Sequence, residues 1–254
     1  MTICIAAIAK NGSKEAIVFA TDHMITTNLG QFEHTIQKYK QINQSTVAML
    51  AGNPLLFDNL IEVDKTAPYS NIEKKIHENF KKIRKDNIEK EILNIYNVDE
   101  SFVLEALKGT VPNQYVDTIL DKITKYNLQT GILLIGFEGD VAQIAEINET
   151  GFENFRDITF HAIGSGRDQA VNTILFQRHS KAAQILPTLY IVYKAKRNAE
   201  VIPGVGKETD LALLTTDGYQ RIKDSDMKIL SQIYEDELAF GKTHEQLNKI
   251  DIKA

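Results

Sequence analysis

Strand-like and helix-like stretches succeed one another along this chain in blocks: strands, helices, strands, then helices. That order is not the strict alternation of a doubly wound nucleotide fold. It fits antiparallel sheets with helices packed outside. The apolar runs 2–9 and 16–21 flank the polar link Lys10-Asn11-Gly12-Ser13-Lys14-Glu15, whose Asn-Gly chemistry predicts a hairpin. A second strand pair is predicted at Gln31–Ile42 and Ser45–Ala51, closed by Gly52-Asn53-Pro54, with Pro54 opening a short helix. Ile72, Ile76, Phe80, Ile83 and Ile92 then recur near the helical period across 71–97, and shorter helices follow at 101–108 and 115–126. Strand patterns return at 131–138, 141–146 and 159–164. Gly164-Ser165-Gly166 introduces a helix at 167–178, and a second begins near Pro187 and ends at about Ala199. Late strands are predicted at 210–215 and 220–222, with a helix from Asp224 and a polar tail.

No Pro/Gly/Ser linker, composition shift or internal repeat divides the 254 residues, so one domain spanning 1–254 is expected, with a helical block at about 55–128. A net charge of −5 gives no electrostatic reason to expect nucleic acid or an anionic membrane as partner. The single cysteine, Cys4, excludes an internal disulfide and a Cys-rich metal site, and the six histidines show no ligand spacing, so no structural metal is predicted. With neither a leader nor a long apolar span in view, the reading is a cytoplasmic protein.

Thr2 follows the initiator methionine and opens the first apolar run. A methionine ahead of a small residue is normally trimmed. Trimming would place a hydroxyl nucleophile and an α-amine, of reference pKa about 8, on one residue. Position alone does not make threonine catalytic, but other stretches fall into place with it. They are Ala20-Thr21-Asp22, Thr35-Ile36-Gln37-Lys38, Leu50-Ala51-Gly52 and Gly164-Ser165-Gly166. In this order and spacing the chain resembles the proteasome β-subunits and HslV-type peptidases of the N-terminal nucleophile hydrolases. The likeness is close at 2–57 and 131–178 and looser elsewhere.

The resemblance implies a four-layer αββα sandwich, an α+β fold with two antiparallel sheets between helical layers. It implies a threonine peptidase without cofactor, acting on peptide or protein substrates within a homo-oligomer, with any unfoldase partner unknown. Thr2 would be the nucleophile, Lys38 the ammonium favouring its alkoxide, and Asp22 the counter-ion fixing Lys38. Gly52 would offer an N–H to the oxyanion, and Ser165 would support the terminal amine. Thr26 matches a substrate-backbone position. Ile25, Ile36, Lys40, Leu50 and Pro54 match positions lining the primary side-chain pocket. Asn198 stands where the family carries an aspartate, and the serine expected after it is missing from the stretch 196–204. An amide there cannot hold charge. That departure motivates two alternatives, a catalytically silent scaffold or binding subunit, and a transferase that passes the acyl group to an amine.

Overall fold

The structure, a computed structural model, describes residues 2–27, 30–34, 36–109 and 114–242, with the backbone alone at Thr26, Thr27 and 240–242. Its first strand, β1 (Ile3–Asn11), is buried on both faces from Ile3 to Ala9 because it lies inside a sheet covered on both sides. β1 pairs antiparallel with β2 (Lys14–Asp22) on one edge and β10 (Phe160–Gly164) on the other. β11 (Thr209–Thr215) and β12 (Gly218–Arg221) complete the order β10-β1-β2-β11-β12. The second sheet runs β5 (Tyr39–Asn43), β6 (Thr46–Ala51), β7 (Gly131–Glu138), β8 (Val141–Ile147) and β9 (Phe152–Asn154), again antiparallel throughout.

The period-2 alternation of β1 decides what each face meets. Ile3, Ile5 and Ala7 pack with Ala170, Ile174, Val192 and Ala195 from the helices α5 (Arg167–Phe176) and α6 (Ile185–Ala199). Cys4, Ala6 and Ile8 meet Val47, Met49, Leu133 and Ile135 of the second sheet. The outer face of that sheet, through Ala48, Leu50, Ile132 and Leu134, takes Phe57 and Leu60 of α1 (Phe57–Leu60) and Ile72, Ile76 and Phe80 of α2 (Tyr69–Ile88). Apolar packing therefore runs helix to sheet, sheet to sheet and sheet to helix. The molecule is α+β with two large antiparallel sheets, an arrangement compatible with a sandwich. The helices α3 (Glu100–Lys108) and α4 (Gln114–Lys125) join the end of α2 in a separate apolar cluster around Ile88, Leu93, Val103 and Ile119. The last helix, α7 (Asp224–Lys242), reaches the first core through Leu230 and Tyr234. Among the described residues, no helix is long and apolar enough to cross a membrane.

Two local expectations are corrected. The strand predicted at 31–42 is two: β4 (Gly30–Glu33) pairs with β3 (Met24–Thr27) in a hairpin outside both sheets, and β5 begins only at Tyr39. Every residue of β4 is exposed, so no buried face extends it into β5. The helix predicted at 71–97 keeps α geometry to Ile88, then widens through Glu89–Leu93 and tightens through Asn94–Tyr96. It stops at Asn97, in the left-handed region at φ 53°. The exposed edge strand β9 carries no alternating pattern and was not foreseen. The polar tail predicted beyond α7 lies outside the described residues.

Candidate active site

Thr2 stands at the entry to β1 and is 2% exposed. Its carbonyl accepts from the Ser165 hydroxyl at 3.2 Å and the Gly166 N–H at 3.4 Å, and its own N–H donates to Ser165 Oγ at 3.2 Å. This close approach of two chain segments requires glycine at 164. A Cβ there would lie 2.3 Å from the Thr2 carbonyl oxygen, and φ is +99°.

Two charged groups meet the Thr2 hydroxyl. It donates to Asp22 Oδ1, at the end of β2, and accepts from the Lys38 ammonium. Lys38 also donates to Asp22 Oδ1 at 2.7 Å. The position of Lys38 follows from its backbone, whose carbonyl accepts from Leu50 N–H on β6 at 2.8 Å. Asp22 is fully buried and is satisfied by backbone as well: Ile3 N–H at 3.1 Å on Oδ1, and Gly206 N–H at 2.8 Å and Met24 N–H at 3.4 Å on Oδ2. A buried carboxylate beside an ammonium, with donors on both oxygens, is a stable way to hold charge inside a protein.

Thr2, Gly52, Thr130, Glu146, Gly164 and Ser165 line a cleft of about 550 Å3. Gly52 has φ +124°, and a Cβ on it would lie 2.4 Å from the Gln129 carbonyl oxygen. Asn53 N–H donates to Thr130 Oγ1 at 3.1 Å, which fixes the turn after β6 against the start of β7. A larger depression of about 1130 Å3 lies among α2, α3 and α4, and none of Thr2, Asp22 or Lys38 lines it.

Other sequence-named residues stand elsewhere. Asn198 does not join the group around Thr2. Its amide donates to Thr173 Oγ1 at 3.1 Å and its carbonyl accepts from the Tyr234 hydroxyl at 2.7 Å, so it ties α6 to α5 and α7. Leu50 faces the core against α1 and α2, because its place in β6 turns it to the outer side of the second sheet. Lys40 reaches Asp58 at 2.5 Å and lies over the Phe57 ring. Ile25, Ile36 and Pro54 are likewise absent from the lining of the Thr2 cleft, Ile36 and Pro54 being exposed. The side chain of Thr26 and the whole of Thr35 lie outside the described residues. Burial pushes the Cys4 thiol far above its ordinary range, and Sγ donates to the Leu50 carbonyl at 3.4 Å, as suits a core residue.

The residues that sequence reasoning missed are Gly206, Thr130 and Glu146. Gly206 and Thr130 act in part through backbone or as spacers, which leaves little trace in composition. For Gly206 a signal existed in Pro203-Gly204-Val205-Gly206, a turn-rich stretch directly before a strand.

The class these features define is an α+β protein of two antiparallel sheets, with a threonine hydroxyl held between a lysine and a buried aspartate. No protein-family model matches the chain, and no curated protein matches it.

Proposed function

We propose that this chain is an N-terminal threonine amidohydrolase of the proteasome-like, N-terminal nucleophile class, working on peptide or protein substrates once Met1 is removed. The observation that carries the reading is the hydroxyl of Thr2 meeting both Lys38 and Asp22. The succession of apolar layers supports the αββα architecture of that class.

In this mechanism the Thr2 hydroxyl attacks the substrate carbonyl, a carbon–oxygen bond forms, and its proton passes to the freed α-amine. Lys38 stabilises the developing alkoxide, and Asp22 fixes Lys38. The Gly52 N–H serves the oxyanion. When the carbon–nitrogen bond breaks, the amine returns the proton to the leaving group, and water then hydrolyses the ester. Ser165 holds the amine in place, as it holds the Thr2 nitrogen now. Transfer to an amine in place of water uses the same ester. The silent alternative was motivated by Asn198, whose amide is engaged with Thr173 and Tyr234 away from Thr2. Self-association into a closed oligomer belongs to the same proposal.

The test is intact mass of the purified protein before and after a hydroxyl-directed electrophile. Loss of Met1 and one adduct on Thr2 are expected, with no adduct in Thr2→Ala and acylation slowed roughly 100-fold or more in Lys38→Ala. Retained Met1, or a trimmed chain that takes no adduct, would defeat the reading. Product analysis with and without an added amine separates hydrolysis from transfer.

A further inference from the structure

Lys196 is the one fully buried lysine among the described residues. It sits near the end of α6, where the sequence shows only an ordinary basic helix terminus. Its ammonium donates to Glu200 Oε1 at 2.8 Å, one turn further along. That contact alone supplies the counter-ion a buried cation needs. Yet Nζ makes a second bond at 2.6 Å, to the carbonyl of Lys207. Lys207 adjoins Gly206, whose N–H reaches Asp22 Oδ2.

We propose that Lys196 is a positioning residue for the Thr2 site, pinning the 202–207 loop so that Gly206 delivers its N–H to Asp22. This rests on the functional reading above and extends it to a group that touches neither Thr2 nor Lys38. The loop's other anchors are the turn from Val205 N–H to the Ile202 carbonyl at 3.2 Å, Ile202 N–H on the Ala199 carbonyl at 3.0 Å, the burial of Val205 in the first core, Glu208 N–H on Glu33 Oε1 at 2.8 Å and the Thr209 hydroxyl on the Lys207 carbonyl at 3.2 Å. The Lys196 bond ties the Lys207 end of the loop to α6. The position of Gly206 is tight. A Cβ there would meet Glu33 Oε1 at 2.5 Å and Met24 N at 3.0 Å, so the N–H reaches Asp22 only while the loop is held closely. The charged groups that act on Lys196 are Glu200 and Arg197 from α6 and Asp22 from β2. Burial pulls its ammonium below the ordinary lysine value, with Glu200 and Asp22 opposing that pull. An apolar side chain would occupy this site at lower desolvation cost. The bond to the Lys207 carbonyl gives the cation its purpose.

Two readouts test the proposal. Hydrogen exchange of the segment 200–208, followed in wild type and Lys196→Met, is independent of activity: faster exchange confined to that segment is expected, and unchanged exchange overturns the proposal. The second is the pH profile of Thr2 acylation by the electrophile in wild type, Lys196→Met, Gly206→Ala and the double variant. Each single variant is expected to react at least tenfold more slowly. The acid limb of the profile should move as well, because the charged network at Thr2 has lost a donor. The double variant should be no slower than the slower single one, since both act through one contact. Multiplying effects, or a wild-type rate and profile in Gly206→Ala, overturn the route even where Lys196→Met does not fold. A wild type that takes no adduct refutes the functional reading and leaves the exchange result to decide the role of Lys196 in the loop.

Discussion

Asp22 has no idle oxygen. One takes the Thr2 hydroxyl, the Lys38 ammonium and Ile3 N–H, and the other takes the N–H groups of Gly206 and Met24. Side chains held this way keep their geometry, which is what a site working by preorganised electrostatics requires. The glycine at the cleft wall is equally constrained. Gly52→Ala is expected to lower stability by about 1–3 kcal/mol from backbone conformation alone. The 2.4 Å approach to the Gln129 carbonyl adds to that cost. A fall in urea midpoint, with acylation of Thr2 slowed further as the cleft wall shifts, is the outcome to measure. At this scale Thr2, Asp22, Lys38 and Ser165 were legible only together, through the resemblance of their order and spacing to one family's pattern, since each alone reads as an ordinary strand, turn or cap residue. Gly206 and Lys196 were not: one contributes a backbone N–H, and the other looks like any basic residue near a helix end until the fold buries it.

Among the elements, α2 carries an amphipathic pattern sustained over 20 residues, and its apolar stripe lies on the outer face of the second sheet. Phe80, completely buried there, is a sensitive point. Truncation to Ala should cost about 3–5 kcal/mol, through lost transfer energy and the cavity left behind. A chemical denaturation curve of Phe80→Ala reports it, and a loss below about 1 kcal/mol would show that the helix does not depend on this contact. A sustained helical period explains why α2 could be read ahead of the structure, and continuous apolar runs bounded by turn residues explain why β1, β2 and β7 could. The β3–β4 hairpin and β9 could not. They are short and largely exposed or at an edge, so no alternation of buried and exposed positions marks them.

Across the whole molecule, one polar cluster links three layers. Glu146 on β8 accepts from His161 Nε2 on β10 at 2.6 Å and lies 3.5 Å from Arg167 at the start of α5, while His161 stacks on Phe155. The hydrogen bond from His161 outweighs burial and holds the Glu146 carboxyl below its ordinary value of 4.5. A carboxyl lowered in the folded state adds stability above its unfolded value, and that contribution fades as pH falls through the folded one. Glu146→Gln should therefore be less stable than wild type at pH 7, with the gap closing under acid conditions. Urea midpoints at pH 7, 5 and 3 test this, and a gap that persists at pH 3 would assign the effect to packing. The layered architecture was legible in the block order of the sequence. This cross-layer cluster was not, because it depends on which strands of the two sheets come to face each other.

The bond from Gly206 to Asp22 spans 184 positions of chain, and β2 also takes β11 as its neighbour. On a ribosome adding about 5–20 residues per second, that interval is roughly 10–40 s. During it the hairpin of β1 and β2 exists with an open edge, and the second oxygen of the carboxylate beside Thr2 has the Met24 N–H but not the shorter bond from Gly206. The full set of contacts on Asp22 can form only when the C-terminal third arrives, so a nascent or truncated chain carries Thr2 without its finished setting. The same delay leaves the β2 edge unpaired, a template for pairing with another chain until β11 arrives.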